Sequence, residues 1–67
     1  MRVKFNPAAD TLVIQFAEDV IAESDELRPG VVADYSRDGR LLRIEMLDAS
    51  TQVDRPGDIE FSTERPE

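Results

Sequence analysis

Sixty-seven residues with fifteen acids, eight bases and neither histidine nor cysteine carry a net charge of −7. So short a chain buries only about 60% of the surface its unfolded form exposes, and disulfides, zinc–thiolate sites and imidazole-based zinc sites are excluded by composition, so a homo-oligomer is the expected source of added stability. The acidity repels phosphate backbones and no apolar run approaches a membrane span, so neither a nucleic-acid nor a membrane partner is expected, and the cytoplasm is the expected compartment.

Residues Val3 and Phe5, then Leu12, Ile14 and Phe16, alternate with Lys4, Thr11, Val13 and Gln15, the period of half-buried strands. Pro7 interrupts the start before the apolar core of a signal peptide can form. Between the two runs, Asn6-Pro7-Ala8-Ala9-Asp10 is a turn signal, because proline fixes φ and the amide and carboxylate side chains bond nearby backbone. Pairing Phe5 with Leu12 and Val3 with Ile14 gives a hairpin with all five large apolar side chains on one face.

Val20 to Leu27 mixes two β-branched residues with acids and reads either as an edge strand or as an acidic loop. Glu18, Asp19, Glu23, Asp25 and Glu26 form a base-free acidic stretch overlapping it and are the candidate residues for docking a basic protein partner. Solvation of a small surface is the plainer reading of the same charges. Arg28-Pro29-Gly30-Val31 then fits a type II turn, with glycine supplying the positive φ at the third position.

Ser36-Arg37-Asp38-Gly39 fits a type I turn followed by a left-handed glycine, the three-residue loop of a second hairpin. In that register Tyr35 faces Leu41, Asp34 faces Leu42, Ala33 faces Arg43, Val32 faces Ile44 and Val31 faces Glu45. One face would then hold Val32, Leu42, Ile44 and Met46, with Asp34 as its odd polar member. The other holds Val31, Ala33, Tyr35, Leu41 and Leu47, interrupted by Arg43 and Glu45, too apolar for simple solvation and so a dimer or helix-packing surface, with Val31, Tyr35, Leu41 and Leu47 as the candidate dimer face. Asp48 is the expected N-cap of one helical turn over Ala49 to Val53, which Arg55-Pro56-Gly57-Asp58 ends. Ile59-Glu60-Phe61 alternates and suggests a short last strand. Residues 1–61 are expected to form one domain, with 62–67 frayed.

Asp34, Ser36, Asp38, Gly39 and Glu45 also match the ligand spacing of a calcium-binding loop. Such a loop joins two helices, whereas Pro29-Gly30 and the flanks Val31-Val32-Ala33 and Leu41 to Ile44 read as turn and strand, so no metal ligand is assigned. The serines have no histidine to activate them, and Lys4 is the single lysine. No catalytic residue and no cofactor is expected. The alternative is a small-ligand or metal-dependent hydrolytic domain using Asp34, Asp38 and Glu45. The fold class is mainly β or α+β: an antiparallel sheet of two successive β-hairpins with a short helical turn near the C-terminus.

Phe5 to Ile14, Glu23 to Leu27, Pro29 to Tyr35, Asp38-Gly39 and Ile44 to Ser50 follow in order a pattern of Tyr-Asp-Pro-Glu-Ala-Asp-Ala-Leu-Tyr-Ile, an acidic segment, Pro-Gly-Val with Asp-Tyr, an Asp-Gly turn and Ile-Glu-Ile-Leu-Asp-Ala-Ser. In this, residues 4 to 50 resemble the bacterial family known as domain of unknown function 2283. Phe5-Asn6 stands for the usual Tyr-Asp, and Val13 stands where an aromatic is common. The resemblance implies a small β-rich protein. It also implies an antitoxin role, proposed for some members whose genes lie beside small toxin genes. Toxins that cut RNA usually present basic surfaces, which acidic segments would cover. A recognition helix and the positive charge of a DNA-binding module are both missing from the sequence.

Overall fold

The computed structural model describes residues 1–66. Five strands, β1 (Arg2–Asn6), β2 (Thr11–Gln15), β3 (Glu23–Arg28), β4 (Val31–Tyr35) and β5 (Leu41–Met46), precede one short helix, α1 (Ala49–Gln52). They form a single antiparallel sheet in the order β1-β2-β5-β4-β3. The first hairpin has the register its alternation predicts, Phe5 opposite Leu12 and Val3 opposite Ile14. Its loop is held by Asn6, whose Oδ1 accepts the N–H groups of Ala8 and Ala9 at 3.1 and 3.2 Å.

After β2 the chain passes along one end of the sheet instead of turning back beside β2. Phe16 and Ala17 both donate their N–H to the Leu42 carbonyl of β5, and Ala22 donates to the Tyr35 carbonyl of β4. The ambiguous acidic stretch resolves into the edge strand β3, with Val20 to Ala22 outside it. Pro29 and Gly30, the latter at φ +82°, turn β3 into β4. A register irregularity between Glu26 and Arg28 sets the extra residue Leu27 beside that turn, where added local twist helps a type II turn join two strands.

The second hairpin corrects the expected register. The turn is as expected: Gly39 donates to the Ser36 carbonyl at 3.0 Å, Gly39 has φ +87°, and Tyr35 faces Leu41. One step on, Asp34 faces Arg43 and not Leu42, because Leu42 is an extra residue bulged out of the ladder. The shift flips every later side chain of β4 relative to β5. Val31, Ala33 and Tyr35 therefore share the apolar face with Leu42, Ile44 and Met46, continuous with Leu12, Ile14, Val3 and Phe5. Val32 and Asp34 join Arg43 and Glu45 on the other face, beside Val13 and Gln15. Leu42 is 2% exposed and, with Leu12, Val31, Ala33 and Ala49, makes up the buried core.

The chain after β5 closes one end of the apolar face. Asp48 occupies the N-cap position of α1 with left-handed backbone, but its side chain makes no capping bond. The cap comes from the first hairpin loop: the Asp10 carbonyl accepts from Ala49 N, and the Asp10 carboxylate accepts from Ser50 N and Oγ. Gln52 Nε2 bonds the Pro29 carbonyl at 3.0 Å, tying the helix to the β3–β4 turn. Pro56 is buried and Gly57 lies against the Phe5 ring, so the tail crosses the β1–β2 side of the sheet. Ile59 to Phe61 is not a strand, since it pairs with no neighbour, and residues 62 to 66 have no regular structure. Glu67, included in the expected frayed end, lies outside the described residues.

Candidate docking surface

β3 is an outer strand of the sheet, and all six of its residues are exposed. Leu47 N donates to the Gly30 carbonyl, so Gly30, Val32 and Asp34 turn their backbone groups toward β5, while Val31, Ala33 and Tyr35 turn theirs toward β3. Asp25 and Glu23, opposite Ala33 and Tyr35, complete that ladder. By alternation the N–H and C=O groups of Ser24 and Glu26 face outward from the edge.

The five acids proposed from the sequence are only partly gathered. Glu23 and Asp25 project on the apolar-face side of β3, and Glu26 projects on the opposite side. Asp19 sits in the crossing segment, where its Oδ1 accepts from Val20 N at 2.7 Å. Glu18 is drawn to the far side of the sheet by Arg2 of β1, at 3.0 Å, with both side chains exposed. Asp19, Glu23, Asp25 and Glu26 thus remain as the acidic border around β3, with Arg28 at its end.

Of the four residues expected to form a dimer face, Val31, Tyr35 and Leu41 fall on one face, Leu41 opposite Tyr35, and Leu47 lies beyond the end of β5. Val31 and Tyr35 lie on the apolar face, and Val31 is buried within the chain's own core. Leu41 is half-buried at the bulge, and Leu47 is exposed beyond the end of β5. The Leu42 bulge pairs Val31 with Met46 where an uninterrupted register sets it opposite Glu45, and this takes Val31 into the core.

Asp34 lies on the polar face, where it has ready partners. Ser24 Oγ donates to its Oδ1 at 2.6 Å, and Arg43 Nε approaches its Oδ2 at 3.9 Å, too far for a hydrogen bond. Arg43 Nη2 instead bonds Glu45 Oε2 at 3.0 Å, and Nε is buried without a partner. Asp38, at the hairpin tip, accepts from Ser36 Oγ, which holds its carboxyl below the ordinary aspartate value. Asp38 and Glu45 thus occupy opposite ends of the hairpin, and strands flank the turn where a calcium loop has helices. Among the described residues, no group of three or more His, Cys, Asp or Glu could hold a metal ion, and no helix is long and apolar enough to cross a membrane.

Sequence reasoning missed an apolar cleft on the sheet's other side. Met1, Val3, Ile14 and Phe16 meet Ile59 and Phe61 of the tail around a space of about 530 Å³. Its sequence signals are the alternation that puts Val3, Ile14 and Phe16 on one face and the Ile59-Glu60-Phe61 alternation, which taken alone suggests a strand.

The family model described as a protein of unknown function (DUF2283) matches residues 2–50. No curated protein and no solved structure gives a significant match.

Proposed function

The chain belongs to the DUF2283 family of proteins of unknown function, and from that premise we propose that it is a non-catalytic, cytoplasmic protein-interaction module whose acidic edge receives a basic protein partner. The observation that carries this reading is β3, six exposed residues at a sheet edge, three of them acids, with the outward backbone groups of Ser24 and Glu26 unclaimed by the sheet. An extended segment of a partner can extend such an edge by backbone hydrogen bonds, while Glu23, Asp25 and Glu26 select for Lys and Arg. Charge at an edge also discourages strand pairing with copies of the same chain. The two effects act together, because they repel acidic edges and admit basic ones.

The most concrete form of this role is an antitoxin that covers the basic surface of a small toxin. Co-expression with the product of a neighbouring gene, read as growth rescue and co-purification, tests it. The native chain rescues and co-purifies. The Glu23→Lys, Asp25→Lys, Glu26→Lys triple variant, altered only at exposed positions, does neither. Equal rescue by the triple variant would sink the acidic edge as the contact.

A further inference from the structure

Folded monomers of 7.6 kDa expose about 4,300 Å² by the usual scaling with mass, whereas this chain exposes 5534 Å². The surplus of about 1,200 Å² exceeds the roughly 800 Å² that each partner buries in a standard interface. The plate-like shape, 39 × 32 × 18 Å, has the same origin: one sheet with only a one-turn helix and a tail laid over it, where stable domains stack two layers. Apolar surface concentrates where that second layer is thinnest. Val3 and Phe16 on the sheet are 39% and 38% exposed, and Phe61 on the tail is 78% exposed.

We propose that this cleft takes a second copy of the chain, giving a two-fold homodimer through the apolar face of β1 and β2 and the tail. A two-fold contact needs a patch that complements itself. Here a sheet wall of Val3, Ile14 and Phe16 stands beside a projecting pair, Ile59 and Phe61, so the tail of each copy can seat on the wall of the other. The acidic β3 edge lies at the other side of the strand order, away from this contact, and stays open.

Sedimentation equilibrium of the purified chain over a concentration series tests the proposal without any partner. The native chain is expected at twice 7.6 kDa, falling toward one chain mass on dilution. Phe61→Glu should raise the dissociation constant at least about a hundredfold, since each of two copies loses one buried aromatic. Val20→Glu adds the same charge at a side chain that is 79% exposed and lies outside the cleft, and should leave the constant unchanged. Ile59→Glu repeats the test at a second tail position. A native chain monomeric throughout the series, or a Phe61→Glu chain as dimeric as Val20→Glu, overturns the proposal. Neither result touches binding through the acidic edge, which the co-expression assay reads separately.

Discussion

Asp10 and Ser50, forty positions apart, form a closed cap in which Ser50 gives both its N–H and its hydroxyl to one carboxylate, the hydroxyl at 2.6 Å from Oδ2. The carboxylate comes from the left-handed corner of the first hairpin loop, at φ 52°, and the acceptor groups of that corner replace the unused Asp48 side chain. The β1–β2 loop is thereby fastened to the segment that leaves β5, and the tail is launched across the apolar face. Asp10→Ala should destabilise the chain by about 1–2 kcal/mol, with Asp10→Asn costing less because the amide oxygen still accepts and asparagine tolerates positive φ. Urea unfolding of both variants checks the order. Ser50→Ala should cost about 1 kcal/mol alone and little further in the Asp10→Ala background, since both act on one set of bonds.

Leu42 decides which face of β4 meets the core, and its carbonyl holds Phe16 and Ala17 as they leave β2. Leu42→Ala should cost about 2–5 kcal/mol, the range for emptying a buried leucine site. With so small a buried core among the described residues, that loss threatens folding altogether. Denaturant titration is the measurement, and a cost below that of the Ser50→Ala cap variant would mean that the site collapses without harm.

The first hairpin and both glycine turns were legible because each rests on local chemistry: alternation from Val3 to Phe16, proline and glycine at 29 and 30, and Asp38-Gly39 at the tip; the helical turn was placed by Asp48, whose side chain is not its cap. The bulge was not, since an extra residue in a ladder leaves no local signature. One indirect sign was present. Uninterrupted pairing put Asp34 among aliphatic side chains and Val31 and Ala33 on the wet side, and moving the register one residue removes both conflicts. The cap from Asp10 to Ser50 and the course of the tail join segments distant in sequence, and nothing in either segment alone points to the other. For the docking surface, the sequence located the acids and gave an edge strand as one of two readings, the choice resting on the long-range pairing of β2 with β5 that leaves β3 outermost.

Gly30 and Gly39 have nearly the same left-handed backbone, yet they should respond differently to alanine. At Gly39 an added Cβ meets nothing within 4 Å, so Gly39→Ala pays only the conformational cost, about 1–2 kcal/mol. At Gly30 the Cβ would stand 3.2 Å from the Leu47 carbonyl oxygen and 3.2 Å from Gln52 Nε2. The Leu47 oxygen belongs to the backbone beside the Leu47 N–H to Gly30 carbonyl bond, so relief strains that bond. Thermal unfolding should therefore place Gly30→Ala below Gly39→Ala, and the reverse order would contradict the packing of α1 on the β3–β4 turn.

The hydroxyl of Ser36 is the largest cause of the lowered Asp38 pKa, ahead of the N–H groups of Asp38 and Arg40. A carboxyl whose folded pKa lies below its unfolded value adds stability above the unfolded pKa, and that increment is lost as pH falls through the folded one. The tip of the second hairpin should hold at neutral pH and loosen only below the ordinary aspartate range, near pH ~4 and lower. Ser36→Ala should move the Asp38 carboxyl upward toward its ordinary value. It also removes the bond from Arg40 N to Ser36 Oγ, at 3.1 Å, so loop amide exchange should quicken with it. A carbon-detected NMR titration of Asp38 in both chains reads the shift, and identical midpoints would show that the backbone donors alone hold the charge.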